Sequence, residues 1–498
     1  MELQFNKSVI PCLRTAVQQV QTQEQTQEVR LTDEMPDIGK VLASWGQVLL
    51  RGKDWNGGAA GMSGGVMVWV LYMPEDGSQV QCVETWLPFQ LRWDLPDMHN
   101  DGTLNVMPIL RSVDARTLSA RKLMVRAGVG AVGKAMVADE MEIYSPDQLP
   151  EDVCILKRNY PVCIPVEAGE KAFVIEETLT LPATAPAIRK LLRYGLHPEL
   201  VESKVVADKI VMRGMAVLDI LYLGEDGQIY SRDFELPFSQ YEQLQREYDT
   251  ATAQITMAVT ALELEPGQEE SLNLKAGMTG QYVICDSPVL EIVEDAYSPG
   301  RAVEPQIQQL LLPSVLDVHR ETVHAEHSVE MNASRVADVQ FYPDIPRQHR
   351  EGDKLCTELS GAFQILCYDP AGGLQSAISR WEGRCDMDVA RDAKVETALC
   401  ATGRPQSAIG GGNASLRADM LLDAQVFAGE GLCMVTGLKL SEAAEPEPNR
   451  PSLILCRAGE DSLWEIAKRT GSTVEVIQKA NALQQEPDST QMLLIPVI

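Results

Sequence analysis

The segment Gly128-Val129-Gly130-Ala131-Val132-Gly133-Lys134 is one place where residue types and spacing could do chemistry. Glycine-rich turns at the start of a helix cradle phosphate with backbone N–H groups. The segment satisfies GxGxxG and most of a P-loop. Yet Ala135 follows Lys134, where a P-loop needs a Ser or Thr to ligate Mg²⁺. An offset of 149 residues brings Gly277-Met278-Thr279-Gly280 to the same place in a second copy, and that segment reads as a plain turn between strands, so nucleotide binding is not expected.

Histidines and cysteines are the other candidates. His319, His324 and His327 lie close together, and His324 and His327 would share one face of a helix. Their neighbours alternate as in a strand, which points the two to opposite faces, so surface histidines are expected. Cys356, Cys367, Cys385 and Cys400 are spaced too widely and irregularly for a structural zinc site and read as buried free thiols. No Ser-His-Asp or Cys-His constellation can be picked out. No catalytic residue, metal ligand or cofactor is assigned, and the chain is not expected to be an enzyme.

Recognition chemistry is more legible in the last 47 residues, 452–498. A short strand, a turn, an amphipathic helix, a Gly break, a second helix and a final strand follow one another, a βααβ order. Ser462 suits the cap of helix one, whose inner face carries Leu463, Ile466 and Ala467. Gly471 ends that helix, Ser472 or Thr473 starts the next, and Val474, Ile477 and Ala480 repeat the spacing. Leu494 is assigned to the core with them. Trp464 sits one residue off the inner face and is expected to anchor an interface.

The rest of the chain must be organised by repeats. Residues 32–46 and 184–195 share Pro-x-Ile-x-Lys-aliphatic-Leu at Pro36 and Pro186, and 41 residues after each proline comes a glycine, Gly77 and Gly227. Each glycine closes a strand-turn segment and is followed by Leu-Pro-Phe, at Leu87-Pro88-Phe89 and Leu236-Pro237-Phe238. Both glycines are expected at positive φ. A weaker third copy aligns Pro343-Asp344-Ile345 with Pro36-Asp37-Ile38, with a proline-to-glycine interval of 29. The expected organisation is three β-rich units, at 1–150, 151–300 and 301–440, a Pro/Glu linker at 441–451 and a small α+β domain at 452–498. Segments 66–73, 209–223 and 355–368 read as hairpin strands, rich in β-branched and aromatic residues and ending at Asp-Gly or Gly-Gly turns. Short helices are expected after Pro36 (Ile38, Val41, Leu42), after Pro186 (Ile188, Leu191, Leu192) and at 239–248. The fold class is therefore multidomain and mainly β, each unit a sandwich or partial barrel.

Composition sets the outer limits. The chain has 498 residues, too many for one core, and is 45% apolar and 23% charged, as folded proteins are. Its 43 basic against 71 acidic residues give a formal charge of −28, which repels phosphate backbones and anionic lipid. Nucleic acid and membrane insertion are not expected. Eleven cysteines without a CxxC pair, and an N-terminal stretch without a signal-peptide pattern, suit a reduced, cytosolic protein.

The tail resembles a LysM domain. The resemblance rests on Gly459-Glu460-Asp461-Ser462-Leu463, on Trp464-x-Ile466-Ala467, on Asn481-Ala482-Leu483 after helix two, and on Leu494-Ile495-Pro496. The tail departs from the pattern where Glu486-Pro487-Asp488-Ser489-Thr490-Gln491 replaces Pro-Gly-Gln. The groove of that family lies between the loops corresponding to 459–463 and 481–484, which makes Gly459, Glu460, Asp461, Ser462, Leu463, Trp464, Asn481, Ala482, Leu483 and Gln484 the expected binding residues. The repeats, with ILYL-x-x-DG and Leu-Pro-Phe and followed by one terminal LysM, resemble the SPOCS-domain architecture of clostridial spore coat morphogenetic proteins. That resemblance implies a mother-cell protein at the forespore surface. It implies that the tail binds the ATPase of the coat basement layer, stage IV sporulation protein A, and that the β units contact other coat proteins. The competing expectation is that the LysM groove holds the N-acetylglucosamine glycan of peptidoglycan.

Overall fold

The computed structural model describes residues 1–267, 271–352, 354–391, 393–410, 412–442 and 451–498. Three successive stretches are almost wholly strand. The first holds β1 (Glu2–Gln4), β2 (Asn6–Arg30), β3 (Ile38–Asn56), β4 (Ala59–Pro74), β5 (Gln81–Asp94), β6 (Thr103–Ser119) and β7 (Lys122–Ser145). The second holds β8 (Cys154–Pro161), β9 (Ile164–Thr180), β10 (Ile188–Gly224), β11 (Ile229–Tyr248), β12 (Thr252–Pro266), β13 (Ser271–Asp286) and β14 (Val289–Tyr297). The third holds β15 (Val303–Glu330), β16 (Arg335–Pro343), β17 (Arg347–Glu351), β18 (Lys354–Tyr368), β19 (Leu374–Asp388), β20 (Lys394–Gly410) and β21 (Asn413–Leu440). The tail is β22 (Leu453–Arg457), α1 (Leu463–Thr470), α2 (Val474–Asn481) and β23 (Met492–Pro496).

One antiparallel pairing order recurs. The sheets β2-β7-β6, β9-β13-β12 and β15-β21-β20 correspond, as do β3-β4-β5 and the three-part sheet β16/β17-β18-β19. The polarity pattern of the sequence explains these strands: along β5, Leu87, Phe89, Leu91 and Trp93 are buried while Pro88, Gln90, Arg92 and Asp94 are exposed. Two glycines 150 residues apart in the first two stretches are also packed alike. A Cβ on Gly64 would meet the Leu49 carbonyl at 2.4 Å and the Phe89 ring at 2.9 Å, and one on Gly214 would meet the Glu199 carbonyl at 2.1 Å and the Phe238 ring at 2.5 Å. Gly77 and Gly227 have φ of 71° and 76°, as expected, and Gly372 in the third stretch has 85°.

Three expectations fail. The segments after Pro36 and Pro186 and the segment 239–248 are strands, not helices. In β11, Leu236, Phe238, Leu244 and Tyr248 are all buried and all of one parity, so the four-residue gap from Leu244 to Tyr248 fits strand as well as helix. In β3, register shifts between Ile38 and Lys40 and between Val41 and Ala43 reset the pleat, which produces helix-like spacing along a strand. Pro343 is not the counterpart of Pro36. It ends β16 opposite Gly361, far from the Gly372 turn, and the place held by Pro36 falls just before Arg335, which pairs with Tyr368 beside that turn. The Gly277–280 segment lies inside β13 rather than in a turn.

The stretches close on one another in cyclic order: β3 packs on β12, β10 on β20, and β16 on β6. The largest core accordingly draws Leu42, Trp45 and Leu71 from the first, Leu192, Leu218 and Leu264 from the second, and Ala337, Leu366 and Tyr368 from the third. The ring is completed at one end, where Leu3 in β1 pairs with Leu438 in β21 and where Phe5, Val293, Ala296, Val435 and Leu438 share a small core. Among the described residues no helix is long and apolar enough to cross a membrane.

Candidate functional site

The tail folds through local signals. Ser462 and Glu465 form a capping box at the start of α1, and Gly471 ends it at φ 67°. Thr473 caps α2. Strands β22 and β23 pair antiparallel, and Leu463, Ile466, Ala467, Ile477, Leu493 and Ile495 form the core. Leu494 points outward, contrary to expectation, because alternation along β23 buries Leu493 and Ile495 instead, and Ala480 on α2 is exposed as well.

Trp464 does anchor an interface, but an internal one. Its ring stands edge-on to Tyr297 at the end of β14, and its Nε1 donates to Asp295 Oδ2 at 2.9 Å. Lys468 Nζ lies 2.7 Å from the same carboxylate, and the Tyr297 hydroxyl donates to the Ser472 carbonyl at 3.0 Å. Burial pushes the Tyr297 hydroxyl well above its ordinary pKa. A bulge between Val293 and Asp295 bends β14 at this seat.

The other expected binding residues divide. Leu463 is 1% exposed and Leu483 packs on the tail core. Ser462 is used in the capping box, and Asp461 pairs with Arg469. Asn481 holds β23, with Nδ2 donating to Leu494 O at 2.6 Å and Oδ1 accepting from Leu494 N at 2.7 Å. Gly459, Glu460, Ala482 and Gln484 are exposed. Glu486, which sequence reasoning passed over, ties the two loops by accepting from Leu463 N at 3.0 Å. Its place in the departure from the LysM pattern was the available signal.

A broader apolar surface lies on the open side of β22 and β23. Leu453, Leu455, Met492 and Leu494 are 50%, 64%, 53% and 37% exposed, and Leu455 pairs directly with Leu494. The alternation that buries one side of a two-stranded sheet leaves these aliphatics facing out.

At the centre of the ring is a cavity of about 240 Å³ walled by β3, β6, β10, β12, β16 and β20. Arg193, nearly fully buried, pairs with Asp219 of its own stretch, reaches Asp338 of the third at 3.2 Å and lies 5.8 Å from the Trp45 ring centroid of the first. Arg404 bonds Asp338 at 3.0 Å and Asp233 at 3.2 Å, and His197 contacts Asp219 at 3.1 Å. Burial alone would raise the Asp219 pKa, but Arg193 and His197 outweigh it and hold the carboxyl well below the usual range. Two guanidiniums facing three carboxylates leave no net positive field for an anionic ligand, so the network fastens the stretches to one another. Other seams are also polar: Arg111 forks onto Asp344 at 2.5 and 3.0 Å, Lys134 pairs with Glu396 at 2.8 Å, and fully buried Gln281 exchanges two hydrogen bonds with the Val106 backbone.

The glycine-rich segment forms no phosphate cradle. It lies within β7, where a Cβ on Gly133 would meet the Trp93 ring at 2.3 Å, so close aromatic packing accounts for that glycine. His319, His324 and His327 all lie on β15, and the last two, three apart, face opposite sides. Cys356, Cys367 and Cys385 are buried and free, while the Cys400 side chain lies outside the described residues. The fold nonetheless brings His319 and Glu321 to Cys385, and His349 and Glu351 to Cys356.

Residues 187–265 match the family model described as SipL, SPOCS domain. The matched segment runs from β10 through nearly all of β12 and supplies Arg193, His197, Asp219 and Asp233 to the central network. The SPOCS match supports a SPOCS-containing, sporulation-related protein. No curated protein and no solved structure matches the chain.

Proposed function

We propose that this chain is a non-enzymatic adaptor of spore-coat assembly, working in the mother-cell cytoplasm at the forespore surface. Its three ring-forming stretches are read as copies of one SPOCS unit, and its tail as a LysM domain that grips the coat-basement ATPase. The β units are left to contact other coat proteins. The observation that carries this reading is the SPOCS match inside a closed three-part body whose tail turns a four-residue aliphatic face outward. Each leucine there is worth about 1.5–3 kcal/mol when fully buried. Trp464 serves to seat the tail on the body, so the partner surface is assigned to β22 and β23 rather than to the groove.

The test is capture of the full chain by an immobilised coat-basement ATPase of the stage IV sporulation protein A type. Changing Leu455→Glu and Leu494→Glu together should weaken capture by roughly tenfold or more, since hot-spot losses of 2 kcal/mol and above come from buried apolar anchors. Unchanged capture would remove that face from the interface. Retention on purified peptidoglycan with no capture by the ATPase would move the function to glycan binding.

A further inference from the structure

We propose that His319, Glu321 and Cys385 form a zinc site that ties together the two sheets of the third stretch. His319 and Glu321 lie on β15, two residues apart and so on one face of the strand. Cys385 comes from β19, in the other sheet. Nε2 of His319 lies 3.3 Å from Oε2 of Glu321, and Sγ of Cys385 donates to that same oxygen at 3.2 Å. All three ligand atoms fall within 4.8 Å of one another. Tetrahedral zinc, with bonds of about 2.0–2.3 Å, sets its ligand atoms roughly 3.3–3.8 Å apart, so only small movements are needed. Imidazole, thiolate and carboxylate together suit zinc and leave one position for water. Cys385 is 8% exposed, whereas His319 and Glu321 reach solvent and give the ion a way in. On binding, the thiol releases to solvent the proton it now shares with Glu321.

A second cluster of the same composition supplies an internal contrast. His349 and Glu351 on β17 face Cys356 on β18, again with an Arg between the His and the Glu. There Arg384 donates to Glu351 and to Cys356 Sγ, both at 2.8 Å. A guanidinium already fills the place between the ligands and repels a cation, and among the described residues no such group is hydrogen-bonded among His319, Glu321 and Cys385. The inference stands apart from the adaptor reading, because the site lies on the body and not on the tail.

Cobalt is the probe, titrated into the full chain after chelation. Expected is a thiolate-to-cobalt charge-transfer band that saturates at one ion per chain and is displaced by zinc. Cys385→Ser should abolish the band, and His319→Ala should weaken binding by more than roughly tenfold, since even outer-shell partners are worth that much. Cys356→Ser should leave the band unchanged. Circular dichroism of the metal-free variants checks that they fold as the metal-free parent does, and His319→Ala, altering a half-exposed side chain, provides the reading if Cys385→Ser misfolds. No band, a band that survives Cys385→Ser in a folded chain, or a band that follows Cys356 would overturn the assignment.

Discussion

The ring of Trp464 stands edge-on to that of Tyr297, centroids 4.7 Å apart and planes at 74°, across 167 residues of chain. An aromatic pair of this geometry contributes about 0.5–1.5 kcal/mol beyond its buried area, and the indole N–H also satisfies Asp295. The tail is therefore attached to the ring at a defined place.

Trp464→Glu should detach the tail without unfolding it. A carboxylate would face Asp295, while the capping box and the Leu463, Ile466 and Ala467 core remain. Small-angle scattering should show a larger radius of gyration, and amide exchange should quicken at β14 but not in α1. An unchanged radius would show that Tyr297 and Lys468 hold the tail without the indole.

Arg193→Met leaves the buried Asp219 and Asp338 without their shared guanidinium. Removing one partner of a buried ion pair costs about 3–5 kcal/mol, and urea unfolding should register that loss. A loss under about 1 kcal/mol would mean that water or Arg404 compensates.

Acid should act on the same network with a definite sign. A carboxyl whose folded pKa is depressed contributes stability above its unfolded value, near 3.9, and loses it as pH falls toward the folded value. The stability gap between the parent and Asp219→Asn should be constant from pH 7 to about 5 and shrink only below about 4. A gap that already closes above about pH 5 would contradict the assignment to Asp219.

Cys163 should react faster than Cys82 near neutral pH. The Cys285 thiol beside it, helped by Ser287, pulls the Cys163 thiol below its ordinary range, whereas burial pushes Cys82 up to about 12. Alkylation mapped by mass spectrometry should modify Cys163 well ahead of Cys82 at about pH 7. Equal labelling of Cys82 and Cys163 at that pH would contradict the assignment.

Gly227→Val should destabilise the second stretch by about 1 kcal/mol or more through backbone strain, because φ is 76° and only Gln79 approaches the added carbon. Thermal unfolding is the measurement, and an unaltered midpoint would show that the turn relaxes.

Neighbours within a few residues determined much of this protein from sequence alone. The Gly77 and Gly227 turns, the Ser462 cap, the Gly471 stop and the alternation of β5 each follow from backbone sterics or a local hydrogen bond, and the repeated Leu-Pro-Phe marks corresponding strands. Local periodicity could not separate strand from helix at 239–248, where buried residues four apart satisfy both, nor could it register the bulges of β3. Tertiary structure alone decided the rest. Arg193 meets Asp338 across 145 positions, Trp464 meets Asp295 across 169, and Cys385 meets Glu321 across 64. These contacts arise because three stretches with the same strand order bury their sheet faces against one another in a cycle, and which faces meet depends on the summed burial of whole sheets, a quantity that no short window of sequence contains.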